Sequence, residues 1–276
     1  MKSKTDTSER PRQTARHGSQ PGDFSLSRAV LGRALKTGLR FPVPGALEWL
    51  QSSEAKRALV QAARVLDGLH EGQGGHEGSL AHAVQGFCSL PDSTLVELEQ
   101  RYNRLFGHSL RGRVCPYETE YGGSHLFQQA HQLSDISGFY LAFGLRPATE
   151  NNERVDHITY ELQFFEFLSV KEAVALETGD QEMFEVTRGT LKRFLTDHLG
   201  RFGRAFGLGL AREDGEGFYG KLGVLCEALL RSESERLGVP VGPDFLELCS
   251  TEEENLPMAC GEDTEAVLAD GASFEV

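Results

Sequence analysis

The chain has 276 residues, of which 39% are hydrophobic and 25% are charged, and these values predict a globular protein with a sizeable core. The formal net charge is -13. Residues 237–276 contain ten acidic residues and no Lys or Arg. An acidic chain without a stripe of Lys and Arg argues against nucleic acid as the main partner. We therefore expect a protein that binds neither DNA nor RNA.

The cysteines and the first residues indicate the compartment. Five scattered cysteines, none in a C-x-x-C pair, argue against a disulfide framework or a zinc site and favour a reducing compartment. Residues 1–23 are basic but contain no apolar segment, so they predict a disordered arm and not a secretory signal. No stretch reaches the roughly 18 apolar residues of a membrane span. The sequence thus predicts a cytoplasmic protein without membrane insertion.

Helical periodicity dominates the chain, and alternating strand patterns are hard to find. Thr94 and Glu97 form a capping box ahead of an apolar stripe, and Ser124 is placed to cap a segment that ends at Gly144 and Pro147. Further helices are predicted at 25–37, 44–51, 53–69, 79–88, 181–198 and 216–232, with another that begins near Asp156. The predicted fold class is all-α, a single globular bundle of about eight to ten helices.

Three regions follow from this pattern. We expect a disordered arm at 1–23, a helical domain at 24–249 and an acidic, flexible tail at 250–276. Two interior interruptions stand out, Glu71–Gly78 and Gly107–Gly123, and the second carries Cys115-Pro-Tyr-Glu118. Long ordered loops between helices are often functional, so the second interruption is a candidate site.

Motifs for cofactor or metal chemistry are incomplete. The histidines His70, His76 and His82 surround a glycine-rich loop, and we interpret them as incidental rather than as metal ligands. Gly215–Leu222 has the spacing of a phosphate loop, but Leu222 stands where Ser or Thr should hold magnesium, and acidic residues precede it. This segment predicts a turn ahead of a helix. The chain is expected to hold no metal and no cofactor.

One group of polar residues has a spacing that suggests binding. If a helix begins near Asp156, Glu153, His157 and Glu161 lie on one of its faces, with Asp156 and Phe164 at the flanks. An exposed face of carboxylates, an imidazole and an aromatic ring would suit a partly apolar peptide that carries arginine. The alternative is a set of intrahelical salt bridges without a ligand, and periodicity alone does not decide between them.

Four segments, in this order, resemble the TorD/DmsD/NarJ family of molybdoenzyme maturation chaperones. They are Tyr102–Phe106 (Y-x-x-L-F), Pro116–Thr119 (P-Y-E-T, where the family has P-Y-E-S), Phe139–Leu145 (F-Y-x-A-F-G-L) and Glu153–His157 (E-x-x-D-H). The resemblance covers about residues 92–200. Thr119 replaces the usual Ser, and Val155 stands where Pro is common. The order of segments is most similar to the branch that serves type II DMSO reductase family enzymes.

The resemblance implies a chaperone that is not an enzyme. Family members are all-helical, bind the apo catalytic subunit of a DMSO reductase-family molybdoenzyme, and in many cases bind its twin-arginine leader peptide, which delays export until the cofactor is inserted. By analogy the recognition groove would be lined by Tyr117, Glu118, Asp135, Phe139, Asp156, His157, Glu161 and Phe164. An imidazole beside carboxylates would titrate near neutrality, so His157 is expected to make binding pH-sensitive.

Two other functions are compatible with the same residues. One is a helical enzyme or metal-binding protein that uses Glu118, His157 and Glu161 as acid–base groups or ligands. The other is a regulatory protein that binds partners without any client enzyme. Turnover or stoichiometric metal in purified protein would identify the first. Molybdoenzyme activity that is insensitive to changes in the groove would identify the second.

Overall fold

The computed structural model describes residues 21–68, 75–107, 112–122, 126–146 and 153–249, and within these ranges all regular elements are helices apart from two isolated β-bridges. The predicted all-α class is confirmed. The helices are α1 (Pro21–Gly38), α2 (Pro44–Gln51), α3 (Ser53–Leu66), α4 (Leu80–Cys88), α5 (Leu95–Phe106), α6 (Leu126–Ala142), α7 (Ile158–Thr178), α8 (Gln181–Asp197), α9 (Leu199–Asp214) and α10 (Phe218–Leu237), with a 3₁₀ turn at Glu118–Glu120.

Local chemistry accounts for most helix boundaries. The capping box predicted at α5 is present, because the Thr94 hydroxyl accepts the Glu97 amide and the Glu97 carboxylate accepts the Thr94 amide. The Ser52 side chain caps α3, and α2 begins at Pro44. Gly179, with φ at 71°, ends α7 in the left-handed conformation that favours glycine.

The helices share one apolar core. α1 packs against α7 and α3, and α10 packs against α9 and α4, so α7 and α10 are central elements. Their inward faces supply many of the fully buried side chains, including Leu162, Phe165, Leu222, Leu225 and Leu229. Folding removes the apolar surface of these residues from water. This burial is the main favourable term in the stability of such a bundle.

A core ion-pair cluster joins α1, α7, α8 and α10. Arg28 of α1 is only 1% exposed, and its guanidinium pairs with Glu172 of α7 and, at 3.3 Å, with Glu233 of α10. Each glutamate also takes an outer arginine, Arg188 at 3.3 Å from Glu172 and Arg236 at 2.7 Å from Glu233. Three arginines therefore surround two buried carboxylates.

The sequence did not predict α9, whose segment Leu199–Asp214 contains four glycines. Glycine lowers helix propensity by about 1 kcal/mol relative to alanine, so the segment lacks a local helical signal. The structure gives the tertiary reason for these glycines. A Cβ on Gly207 would lie 2.6 Å from the carbonyl oxygen of Gly223, so the backbones of α9 and α10 approach each other directly.

The segment with phosphate-loop spacing is a turn ahead of α10, as predicted. The Asp214 carboxylate accepts the amides of Tyr219 at 3.1 Å and Gly220 at 3.3 Å. A side-chain carboxylate thus occupies the place where a helix N-terminus would bind a phosphate.

Some predictions fall on residues outside the described ranges. These are the cap at Ser124, the histidine at His70, nearly all of the predicted arm and the tail at 250–276. Helix α1 begins at Pro21, three residues before the predicted start of the helical domain. No helix in the described part of the chain is long and apolar enough to cross a membrane.

Candidate functional site

The site is built where two of the family-like segments lie side by side. The Glu118 amide donates to the Asp156 carbonyl at 3.0 Å, and the Ile158 amide donates to the Pro116 carbonyl at 2.8 Å. Tyr117 and His157 form an antiparallel bridge between these bonds. The P-Y-E-T segment is therefore fixed across the N-terminus of α7, although the two segments are about 40 residues apart in the chain.

The Asp156 carboxylate is one centre of the site. It is fully buried and accepts the Thr119 amide at 3.1 Å, the Thr119 hydroxyl at 2.9 Å, and the Arg154 guanidinium at 2.6 Å. Arg154 also donates to Glu120 at 2.8 Å. Burial opposes the positive charge of Arg154, but the bonds and charges of Asp156 and Glu120 outweigh it and raise the pKa of the guanidinium.

The Glu118 carboxylate is the second centre and leads outward to solvent. One oxygen accepts the Arg201 guanidinium at 2.8 and 3.0 Å, and the other lies 3.1 Å from Nδ1 of His198. Nε2 of the same imidazole lies 3.2 Å from the Asp135 carboxylate, whose side chain is 54% exposed. His198 therefore bridges a fully buried carboxylate and an exposed one on α6. We call the seven residues of the two centres the site cluster: Glu118, Glu120, Asp135, Arg154, Asp156, His198 and Arg201.

Aromatic rings lie against the outward end of this chain of contacts. The half-buried ring of Phe139 is 5.2 Å from the His198 ring and 5.4 Å from the Phe194 ring. Phe164 is buried beneath them, 4.9 Å from Phe194 and 6.5 Å from Phe139. These edge-to-face contacts hold α6 against α7 and α8, and they put an apolar surface beside the Asp135 carboxylate.

His157 is the N-cap residue of α7 and is buried, so it does not belong to an exposed face of that helix. Its Nδ1 accepts the Thr159 amide at 3.2 Å, and its ring meets the Tyr117 ring at 5.1 Å. Burial lowers the pKa of His157 to about 4, because desolvation outweighs the attraction of Glu153 and Asp156. The expectation that this imidazole titrates near neutrality is therefore wrong.

A cavity of about 210 Å³ opens next to His157. The Tyr160 hydroxyl at this cavity is buried and has no hydrogen-bond partner in the structure. Glu153 also lines this cavity, and its carboxylate accepts a hydrogen bond from the Tyr117 hydroxyl. The cavity is lined by Arg40, Phe41, Tyr102, Glu153, His157, Thr159 and Tyr160.

Glu161 is a buried carboxyl group without a hydrogen-bond partner on either oxygen. Burial raises the pKa of Glu161 well above 4.5, and the nearby charges of Glu118 and Asp156 act in the same direction. Burial thus favours the protonated, neutral form of Glu161 in the folded protein. Glu161 lies one turn into α7, near the carboxylates of Glu118 and Asp156.

The structure contradicts the exposed polar face that the spacing suggested on this helix. α7 begins at Ile158, so Glu153, Asp156 and His157 precede it and do not share a helical face with Glu161. α7 packs against both α1 and α8, and the Pro116–Gly122 segment covers its N-terminus. Of the eight predicted site residues, Asp135 is exposed and Tyr117 and Phe139 are half-buried, whereas the buried ones are Glu118, Asp156, His157, Glu161 and Phe164.

Sequence reasoning missed three basic side chains of the cluster. Arg154 lies inside the E-x-x-D-H segment, so its position was visible, but nothing marked it as the partner of Asp156. His198 and Arg201 lie about 80 residues after Glu118, and spacing along the chain carries no signal for such a contact. In the ranges that the structure describes, no group of three or more His, Cys, Asp or Glu residues is arranged to hold a metal ion.

The segments that form the site lie within the part of the chain that is similar to known proteins. The model of a family described as "Nitrate reductase delta subunit" matches residues 68–207, a range that includes every member of the site cluster. The chain is also similar to a perchlorate reductase assembly chaperone protein from Dechloromonas aromatica (strain RCB). The two are 28% identical over 184 residues, which cover 65% of this chain and 74% of that protein.

Proposed function

Because the chain belongs to the nitrate reductase delta subunit family, the family of NarJ- and TorD-type chaperones, we propose that it is a cytoplasmic, system-specific assembly chaperone. Its client is the apo catalytic subunit of a DMSO reductase-family molybdoenzyme together with that subunit's twin-arginine leader peptide. It assists insertion of the cofactor and delays export. The similarity to a perchlorate reductase assembly chaperone supports a reductase as the client.

The observation that carries this proposal is the excess of acid in the site cluster. Four carboxylates, those of Glu118, Glu120, Asp135 and Asp156, face two arginines and one histidine. A group with more carboxylates than cations favours a positively charged guest. An arginine side chain of a leader peptide is such a guest, since its guanidinium bonds to a carboxylate in a bidentate manner.

The exposed rim of the site fits the contact itself. Asp135 is the cluster carboxylate that is most open to solvent, and the half-buried Phe139 ring lies on the same helix, one turn away. In the proposed complex Asp135 pairs with a leader arginine, and Phe139 and Tyr117 receive the apolar residues beside it.

The buried residues act by positioning the rim. Glu118 orients His198, which holds the Asp135 carboxylate, and Asp156 with Arg154 fixes residues 153–157 against the 3₁₀ turn. In this proposal His157, Glu161 and Phe164 support the groove from beneath and do not contact the client. A contact that depends on one half-exposed carboxylate weakens with added salt, which suits a chaperone that must release its client.

Affinity purification of the tagged protein from its own host, followed by mass spectrometry, tests the proposal. We expect the catalytic subunit of a molybdoenzyme to copurify with the unaltered chain and to be strongly reduced with Asp135→Asn. Asp92→Asn removes a carboxylate that is 72% exposed elsewhere on the surface, and it should retain the client. A chain recovered without a client, or a client that both variants retain equally, would contradict the proposal. Turnover by the purified protein would instead support the enzyme alternative.

A further inference from the structure

The segment after α10 returns across the molecule to the site. Val239 packs into the core, the Arg204 guanidinium donates to the Gly242 carbonyl at 2.9 Å, and it also pairs with the Asp244 carboxylate. The chain then continues to Cys249 beside the 3₁₀ turn of the site. We call residues 242–249 the strap.

The end of the strap pairs with the site as a short antiparallel ladder. The Gly122 amide donates to the Glu247 carbonyl at 2.7 Å, and the Cys249 amide donates to the Glu120 carbonyl at 2.9 Å. Tyr121 and Leu248 form the bridge between these two bonds. Residues 116–118 therefore pair with the start of α7, and residues 120–122 pair with the strap.

Much of the strap's side-chain surface remains in water. Asp244 is 74% exposed, Phe245 is 63% exposed and Leu248 is 40% exposed, whereas Leu246 packs partly against the core. Backbone hydrogen bonds therefore form a prominent part of the contact. Backbone N–H and C=O groups are common to all residues except proline, which lacks the N–H, so an edge that recognises them accepts extended peptides of many sequences.

This edge also adjoins the acid-rich cluster. Glu120 receives the strap amide on its carbonyl and the Arg154 guanidinium on its carboxylate. The preceding residue, Thr119, is bonded to the buried Asp156 carboxylate. An extended peptide on the edge would therefore carry its side chains past carboxylates, which favours a peptide that contains arginine.

We propose that the outer edge of residues 120–122 is a docking edge for an extended, arginine-bearing segment of the client, and that the strap occupies this edge within the chain until the client displaces it. The identity of the client segment rests on the proposed function, whereas the occupancy of the edge by the strap does not. The strap competes as a tethered ligand, whose high local concentration weakens the binding of any peptide in solution.

Two shortened chains test this competition. The chain 1–249 keeps the strap, and the chain 1–243 lacks most of it. One labelled probe is a synthetic peptide of residues 241–250, and the other is a synthetic peptide with two adjacent arginines ahead of an apolar segment. We expect the strap peptide to bind chain 1–243 and not chain 1–249, and the arginine peptide to bind chain 1–243 about tenfold more tightly.

A matched pair of substitutions tests the same edge in the full chain. Cys249→Pro removes the amide that bonds to Glu120 and the thiol near the Thr119 and Gly122 carbonyls, whereas Cys249→Ser keeps the amide and puts a hydroxyl in place of the thiol. The arginine peptide should bind the proline variant several-fold more tightly than the serine variant. This pair keeps the test decisive if chain 1–243 does not fold.

The outcomes separate the two proposals. The arginine peptide could bind the proline and serine variants, or the two shortened chains, with equal affinity. Either result would contradict the proposal that the strap competes with the client segment. A strap peptide that does not bind a folded chain 1–243 overturns it as well. If the strap peptide binds chain 1–243 but the arginine peptide binds no form of the protein, the occupancy of the edge by the strap stands, whereas the arginine-bearing client segment and the proposed function are contradicted.

Discussion

The core cluster and the site cluster are both built around buried carboxylates, but they differ in composition. In the core cluster, three arginines surround the carboxylates of Glu172 and Glu233. In the site cluster, four carboxylates surround two arginines and one histidine. In the first cluster the arginines outnumber the carboxylates, whereas in the second the carboxylates outnumber the basic side chains.

The two clusters also join different kinds of structure. The core cluster links α1, α7, α8 and α10, helices that belong to the packed apolar core. The site cluster links a 3₁₀ turn, the residues before α7, α6 and the start of α9. Similar chemistry therefore stabilises the bundle in one place and, in the other, positions an acid-rich surface.

The largest effect is expected when the central cation of the core cluster is removed. Arg28→Met leaves two carboxylates buried beside an apolar side chain, and it should lower the free energy of unfolding by about 3–5 kcal/mol. Urea denaturation measures the change. Arg188→Met removes an outer arginine that is 42% exposed and should cost less than about 1 kcal/mol. Equal losses in the two variants would show that the central position has no special weight.

A smaller loss is expected at the site cluster. Arg154→Met leaves Asp156 with its Thr119 bonds but without its cation, and should cost about 2 kcal/mol, because the guanidinium is 30% exposed and partly screened. Arg193→Met, a change at an exposed position of α8, serves as the control in the same urea titration. Binding of the arginine peptide should change in the Arg154 variant and not in folded Arg28→Met. The reverse result would break the distinction between the two clusters.

Glu161→Gln tests the unpaired carboxyl group through pH. The folded state holds this proton above pH 4.5 whereas the unfolded chain releases it, so the unaltered protein loses stability as pH rises from about 4.5 towards the folded pKa. The glutamine variant lacks this term. Its stability relative to the unaltered protein should rise by about 1.4 kcal/mol per pH unit between pH 5 and the folded pKa, and then level off. Urea unfolding at several pH values measures the slope, and parallel curves would show that Glu161 is ionised in the folded protein.

The smallest effect on stability is expected at the rim. Asp135→Asn changes a carboxylate that is 54% exposed, so the free energy of unfolding should fall by less than about 0.5 kcal/mol. The affinity for the arginine peptide should nevertheless fall about fivefold at low salt, and the difference from the unaltered protein should shrink as salt is added. A titration of labelled peptide at two salt concentrations checks both points. A large loss of stability with unchanged affinity would make Asp135 a structural residue.

The sequence was informative where local chemistry decides the structure. The capping box at Thr94 and the helix at 44–51 are found where they were predicted, because caps and proline act on neighbouring residues. The all-helical class followed from periodicity in the same way. The family resemblance also identified the P-Y-E-T and E-x-x-D-H segments, which the structure brings into contact.

Contacts between distant segments explain the failures. Glu153, His157 and Glu161 have helical spacing, but the chain places His157 at the N-cap, so the expected face does not form. Spacing also carried no information on burial, and it could not show that Arg201 of an unpredicted helix neutralises Glu118. The pKa of His157 was misjudged for the same reason, because desolvation depends on the surrounding tertiary structure.

The direct contact between the backbones of α9 and α10 bears on the order in which the molecule assembles. A helix with four glycines has little stability alone, and α9 gains its stability by docking on α10. During synthesis, α10 is complete only when Leu237 has left the ribosome, long after Glu118 and Asp156 have emerged. We therefore expect Arg201 to reach Glu118 late in folding, so that a nascent chain does not present a finished recognition site before nearly all of its helices exist.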